Sequence, residues 1–170
     1  YATFTTTATA SHTASSATLT LSLGATGAST NRLTVNASNL VPGDSYYRSF
    51  DLINSGTKAL SSITLTTTAS PSSLLDTDAT NGLQMVIQRC STSWTESGTS
   101  PNFTYTCGGS TSTVLASRAI IGSSIALSNL GATAISTTDK LLLTVTFPSA
   151  AGNTFQGLSS TISFTFTGNQ

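Results

Sequence analysis

Charge is the scarcest property of this sequence. Of 170 residues, six are Lys or Arg and six are Asp or Glu, so 7% of the chain is charged and the formal net charge is zero. A typical soluble domain carries about 25% charged residues. The few basic residues are scattered, which leaves no patch for nucleic acid or an anionic membrane. There is one histidine, His12, whereas zinc hydrolysis needs three protein ligands and an open position. The H-E-x-x-H pattern is absent. A Ser-His-Asp triad would have to be built on the same His12, and no G-x-S-x-G elbow accompanies it. The two cysteines form no C-x-x-C redox motif. No apolar run approaches the roughly 18 residues of a membrane span. Convincing helical periodicity and a repeat of 20–50 residues are also missing, which argues against a solenoid. These absences point away from an enzyme and leave no catalytic, cofactor or metal constellation.

What the chain does contain is Thr, Ser, Ala, Asn and Gly, with hydrophobic residues at 38%. Zero net charge with abundant β-branched residues suits sheets rather than disorder. The length suits one domain with a core of its own. Leu19, Leu21 and Leu23 alternate with polar residues, and Leu33 and Val35 continue the pattern after a turn region at 24–31. In Asn39-Leu40-Val41-Pro42-Gly43-Asp44, Pro42 presets φ and Gly43 permits the positive φ of a type II turn. Strands are expected at 46–53, at 63–67, at 83–90 as a central strand, through Phe103 and Tyr105 to Cys107, at 114–121, at 125–130, at 140–147 and at 161–167. Leu141, Leu143, Val145 and Phe147 share one face of the 140–147 strand; Ile162, Phe164 and Phe166 point inward in the last. Residues 74–83 have room for a short helical turn. Many short strands between Gly, Pro and Asn turns imply an all-β fold, a jelly-roll-like antiparallel β-sandwich.

Cys90 and Cys107 read as one disulfide of a secreted protein. The sequons at Asn36 and Asn102 offer N-glycosylation sites, a number expected by chance in a Ser/Thr-rich chain. Asp76-Thr77-Asp78-Ala79-Thr80-Asn81-Gly82 carries oxygen ligands but fails the EF-hand pattern, and reads better as an Asx-rich turn. Lys58 and Lys140 find no identifiable isopeptide partner. Trp94, Tyr46 and Tyr47 could supply an aromatic patch for carbohydrate, though single aromatics are more often core or interface residues.

The first residues, Tyr1-Ala2-Thr3-Phe4-Thr5-Thr6-Thr7-Ala8 and on to Ser16, have strand propensity and small side chains, without Gly or Pro. Such a segment serves equally as an edge strand of its own domain or as a strand donated to a neighbouring subunit. A donated strand gives a head-to-tail contact that does not close, hence a filament. The residues alone leave these two readings about even; 1–16 is set apart as an N-terminal extension and 17–170 as the sandwich domain. The start at Tyr1 is read as the mature terminus left by a removed signal peptide.

Four features extend this reading. They are the Thr/Ala-rich start followed by Ala17-Thr18-Leu19-Thr20-Leu21; the turn Asn39-Leu40-Val41-Pro42-Gly43-Asp44; the strand and turn Phe50-Asp51-Leu52-Ile53-Asn54-Ser55-Gly56-Thr57; and the Leu-rich and closing strands near the C-terminus. In these the chain resembles the TasA/camelysin family of secreted bacterial fibre proteins, whose camelysin members have been named metallopeptidases. The resemblance implies a jelly-roll-like subunit of a biofilm matrix fibre or thin pilus. Subunits of that kind polymerise with copies of themselves through a donated strand, here residues 1 to about 13. Phe4 is then its apolar anchor, with Ala2, Thr6 and Ala8 on the same face and Tyr1, Thr3, Thr5 and Thr7 on the other. Matrix polysaccharide is a further partner. The alternative is a monomeric surface adhesin or accessory module.

Overall fold

The computed structural model describes residues 2–10, 19–33 and 40–170, the first of these segments by its backbone only. Eleven strands are described: β1 (Ala2–Ala10), β2 (Leu21–Leu23), β3 (Ser45–Asn54), β4 (Ser62–Ala69), β5 (Gln84–Cys90), β6 (Trp94–Thr99), β7 (Asn102–Cys107), β8 (Thr111–Ala119), β9 (Gly122–Ala126), β10 (Thr137–Thr146) and β11 (Ser160–Asn169). One short helix, α1 (Leu74–Thr77), follows β4, and one 3-10 turn (Asn153–Phe155) precedes β11. A four-stranded sheet has the order β1-β11-β4-β9, and a five-stranded sheet the order β2-β3-β10-β5-β8. The β6–β7 hairpin forms a separate two-stranded ribbon.

The fold is the expected all-β sandwich, because the strands alternate as half-buried strands must. In β11, Ile162, Phe164 and Phe166 are buried while Thr161, Ser163, Thr165 and Thr167 are half-exposed. In β10, Leu141, Leu143 and Val145 enter the core. The two inner faces meet there, with the Phe50 and Phe166 ring centroids 5.4 Å apart. The turn before β3 forms as its residues dictate: Gly43 has φ 100° and the Asp44 amide donates to the Val41 carbonyl at 3.0 Å.

The structure departs from the sequence expectations in four places, one of them the strand expected at 125–130, which is β9 and ends at Ala126. Leu19 to Leu23 yields only the three-residue β2, and the chain beyond it follows β3 through an isolated bridge, Asn31 to Phe50. Residues 94–99 form β6, which apolar alternation does not announce, since Trp94 is its one hydrophobic side chain. Not every pairing is antiparallel: β1 runs parallel to β11, from Ala2 opposite Ser160 to Ala10 opposite Gly168. The helical turn falls within 74–83, capped by Ser73, whose side chain accepts from the Leu75 amide while Asp76 accepts from the Ser73 amide.

Candidate assembly edge and its surroundings

Strand β11 presents one side to β4 and the other to β1. Its first residue is fixed by a buried polar cluster. Ser160 Oγ donates to Asp76 Oδ2 at 2.5 Å and lies 2.7 Å from Ser73 Oγ. Ser72 Oγ donates to Asp76 Oδ1 at 2.7 Å. One carboxylate thus caps α1 and holds the start of β11, which satisfies a buried charge with several donors at once. At the far end Gly168 packs against Leu60: an added Cβ would come within 2.8 Å of Leu60 Cδ1. Between these ends the backbone of β1 pairs with β11 from Ser160 to Gly168. The register sets Phe4, Thr6 and Ala8 opposite the buried residues Ile162, Phe164 and Phe166, and Thr3, Thr5 and Thr7 opposite Thr161, Ser163 and Thr165. Tyr1 and residues 11–18, His12 among them, lie outside the described residues. Near the start of β11 an apolar cavity of 270 Å³ is lined by Leu40, Pro42, Leu75, Phe147, Phe155 and Leu158.

The β6–β7 hairpin is a strap on the five-stranded sheet. The Cys90–Cys107 disulfide ties its base to the end of β5, with Cα atoms 5.6 Å apart. Trp94 Nε1 donates to the Lys140 carbonyl at 3.0 Å. Arg32, on the segment that follows β2, grips Glu96 with both Nε (2.9 Å) and Nη2 (2.6 Å), and Tyr105 Oη donates to the same carboxylate at 2.7 Å. The hydrogen bonds from Arg32 hold the Glu96 carboxyl below its ordinary pKa; burial works against them with less effect, and the Tyr105 hydrogen bond adds a lesser pull in the same direction as Arg32. The Arg32 guanidinium sits 4.6 Å from the Phe103 ring centroid, and its Nη1 also donates to the Gly27 carbonyl. Beneath the strap lies Arg48, fully buried and 5.2 Å from the Tyr46 ring centroid. Burial lowers its pKa and raises that of the Tyr46 hydroxyl. Two more ion pairs lie on this sheet: Lys140 to Asp51 at 2.5 Å, and Arg89 to Asp139 at 2.7 Å, the latter at an angle unsuited to a hydrogen bond.

The remaining sequence candidates separate. Asp78 Oδ1 accepts from the Thr80 and Asn81 amides, both at 2.9 Å, so it closes an Asx turn while Asp76 faces Ser73 and Ser160. The Asn81 and Thr80 amides hold the Asp78 carboxyl below its usual range. Tyr46 is buried and Trp94 anchors the strap, so these aromatics do not assemble an exposed patch with Tyr47. Lys140 meets Asp51 rather than an asparagine, and Lys58 is exposed. Asn102 is exposed at the start of β7; Asn36 lies outside the described residues.

A family model described as camelysin metallo-endopeptidase matches residues 1–170, the whole chain. The chain belongs to the camelysin family. This is the family of TasA and CalY, which relates the protein to biofilm matrix fibres. A comparison with curated proteins gives no match. The family name implies a catalytic metal, and the described residues do not fit one. Among the described residues no group of three or more His, Cys, Asp or Glu could hold a metal ion, and the cysteines are bonded to each other. Among the described residues, too, no helix is long and apolar enough to cross a membrane.

Proposed function

We propose that this camelysin-family chain is the structural subunit of an extracellular filament, joined head to tail by donation of its N-terminal strand. The observation that carries the reading is the nine-residue edge strand β1, paired along its whole length with β11 and separated by ten residues of sequence from β2, which belongs to the other sheet. An edge strand attached in this way is exchangeable between copies, because the same backbone hydrogen bonds form whichever chain supplies it. Exchange in one direction leaves each subunit one strand short and one strand in surplus, so the contact propagates. Secretion and a place in the matrix accompany this reading, as does polymerisation with itself.

A second reading has its own support. In the structure β1 pairs within its own chain, which favours a monomeric surface module. Negative-stain electron microscopy of the full-length protein beside a variant lacking residues 1–13 separates the two. Filaments from the full-length protein alone support donation. Single-domain particles from both overturn it in favour of the monomer.

A further inference from the structure

We propose that the outward face of the four-stranded sheet is a self-complementary surface through which copies of this chain associate side by side. Its composition is unlike that of the rest of the molecule. None of the twelve Lys, Arg, Asp and Glu residues lies on β1, β4, β9 or β11. The outward positions of the two central strands are hydroxyls in register: Thr167 opposite Thr64, Thr165 opposite Thr66, and Ser163 opposite Thr68. The β1 register adds Thr9, Thr7 and Thr5 in the same rows. The result is a grid with a spacing of about 4.8 Å across strands and about 6.7 Å along them.

Three properties make a second copy the fitting occupant. A hydroxyl both donates and accepts, so a hydroxyl grid complements itself under a two-fold axis. β-Branched threonines are restricted at χ1, so little side-chain freedom is lost on contact. An uncharged face approaches another of its kind without repulsion, whereas exposed sheets that must stay apart usually carry charges. The outward positions of β4 and β11 hold no aromatic ring on which a sugar could stack. Two strands of four outward residues cover roughly 260 Å², about a third of what one partner contributes to a stable complex. One pair of faces is therefore weak. Repeated along a filament, the contact gains from multivalency and holds filaments in bundles. In that respect the proposal rests on the filament reading.

The test compares wild-type filaments with those of Thr68→Lys/Thr167→Lys, two outward positions that are not cross-strand partners, after thermal melts show equal midpoints. Wild-type filaments are expected to bundle in micrographs and to pellet at low speed, equally at low and high salt. The lysine variant is expected to form single filaments, with the low-speed pellet reduced about tenfold by like-charge repulsion. The Thr68→Ser/Thr167→Ser variant, which keeps the hydroxyls, should bundle. Equal bundling by the lysine variant overturns the proposal, and so does bundling that requires added neutral polysaccharide. If the wild type forms no filaments, the filament reading fails, and sedimentation velocity at high protein concentration decides this one. Weak self-association lost in the lysine variant supports it; none in either protein overturns it.

Discussion

The two sheets of this sandwich solve the same packing problem with opposite chemistry. The four-stranded sheet carries no charged residue, and its polar side is a grid of threonine and serine. The five-stranded sheet carries Arg48, Asp51, Arg89, Arg118, Asp139 and Lys140, and a hairpin strap is fastened to it by a disulfide and a forked ion pair. They share one core, closed between Phe50 and Phe166. Specific long-range pairing is concentrated on one sheet, which leaves the other plain and repetitive. The plain sheet is the one bounded by β1, the strand proposed to be exchanged. A regular surface tolerates a strand arriving from another molecule better than one crowded with specific pairs.

The largest expected effect would break the comparison, because it strikes what the sheets share. Phe166→Ala should cost about 3–5 kcal/mol through lost burial and a residual cavity, read by chemical denaturation followed at several probes. Coincident transitions show one cooperative unit; separate transitions would mean that the sheets unfold independently.

Next in size is the strap's covalent end. Cys90→Ser/Cys107→Ser should lose about 3 kcal/mol in the chain-entropy model and keep the sandwich, so far-ultraviolet circular dichroism at room temperature should hold while the melting midpoint falls. An unchanged midpoint would remove the disulfide from the account of stability.

The ionic end is weaker. Glu96→Gln should cost about 1 kcal/mol, as a partly exposed charged hydrogen bond does. The pH dependence has a definite sign. The carboxyl's pKa is depressed in the folded state, so its contribution is complete above the ordinary glutamate value near 4.3 and is lost as pH falls through the folded value below it. Trp94, the one tryptophan of the chain, should report this as an acid change in fluorescence that Glu96→Gln removes. The smallest effect belongs to the plain sheet: Thr68→Lys should move stability by no more than about 0.5 kcal/mol, which leaves association as its only large consequence.

Much of the plain sheet was legible in the sequence. Ile162, Phe164 and Phe166 alternate with hydroxyl residues because one face is buried and the other is wet, and period two records that directly. Leu141, Leu143 and Val145 were legible for the same reason. The strap was not. Glu96 finds Arg32 across a separation of 64 residues, and nothing near either residue names the other. Arg48 is in phase with Phe50 and Leu52, and that phase was the signal of its burial; the charge masked it. The cystine was legible because compartment and parity constrain two cysteines to one pairing. The N-terminal strand was legible as a strand, but its direction was not. Side-chain alternation reads the same from either end, so the parallel run along β11 follows from the fold's connectivity and not from the residues themselves.

The poverty of charge also bears on durability. An enzyme that cuts after lysine or arginine has six candidate bonds. Four lie after residues in the paired strands β3, β5, β8 and β10, and the fifth follows Arg32, which the strap holds. Only Lys58 stands exposed in a loop. To digestion of the trypsin kind the folded chain offers one nick, between strands of different sheets, and the two pieces stay clasped in a common core.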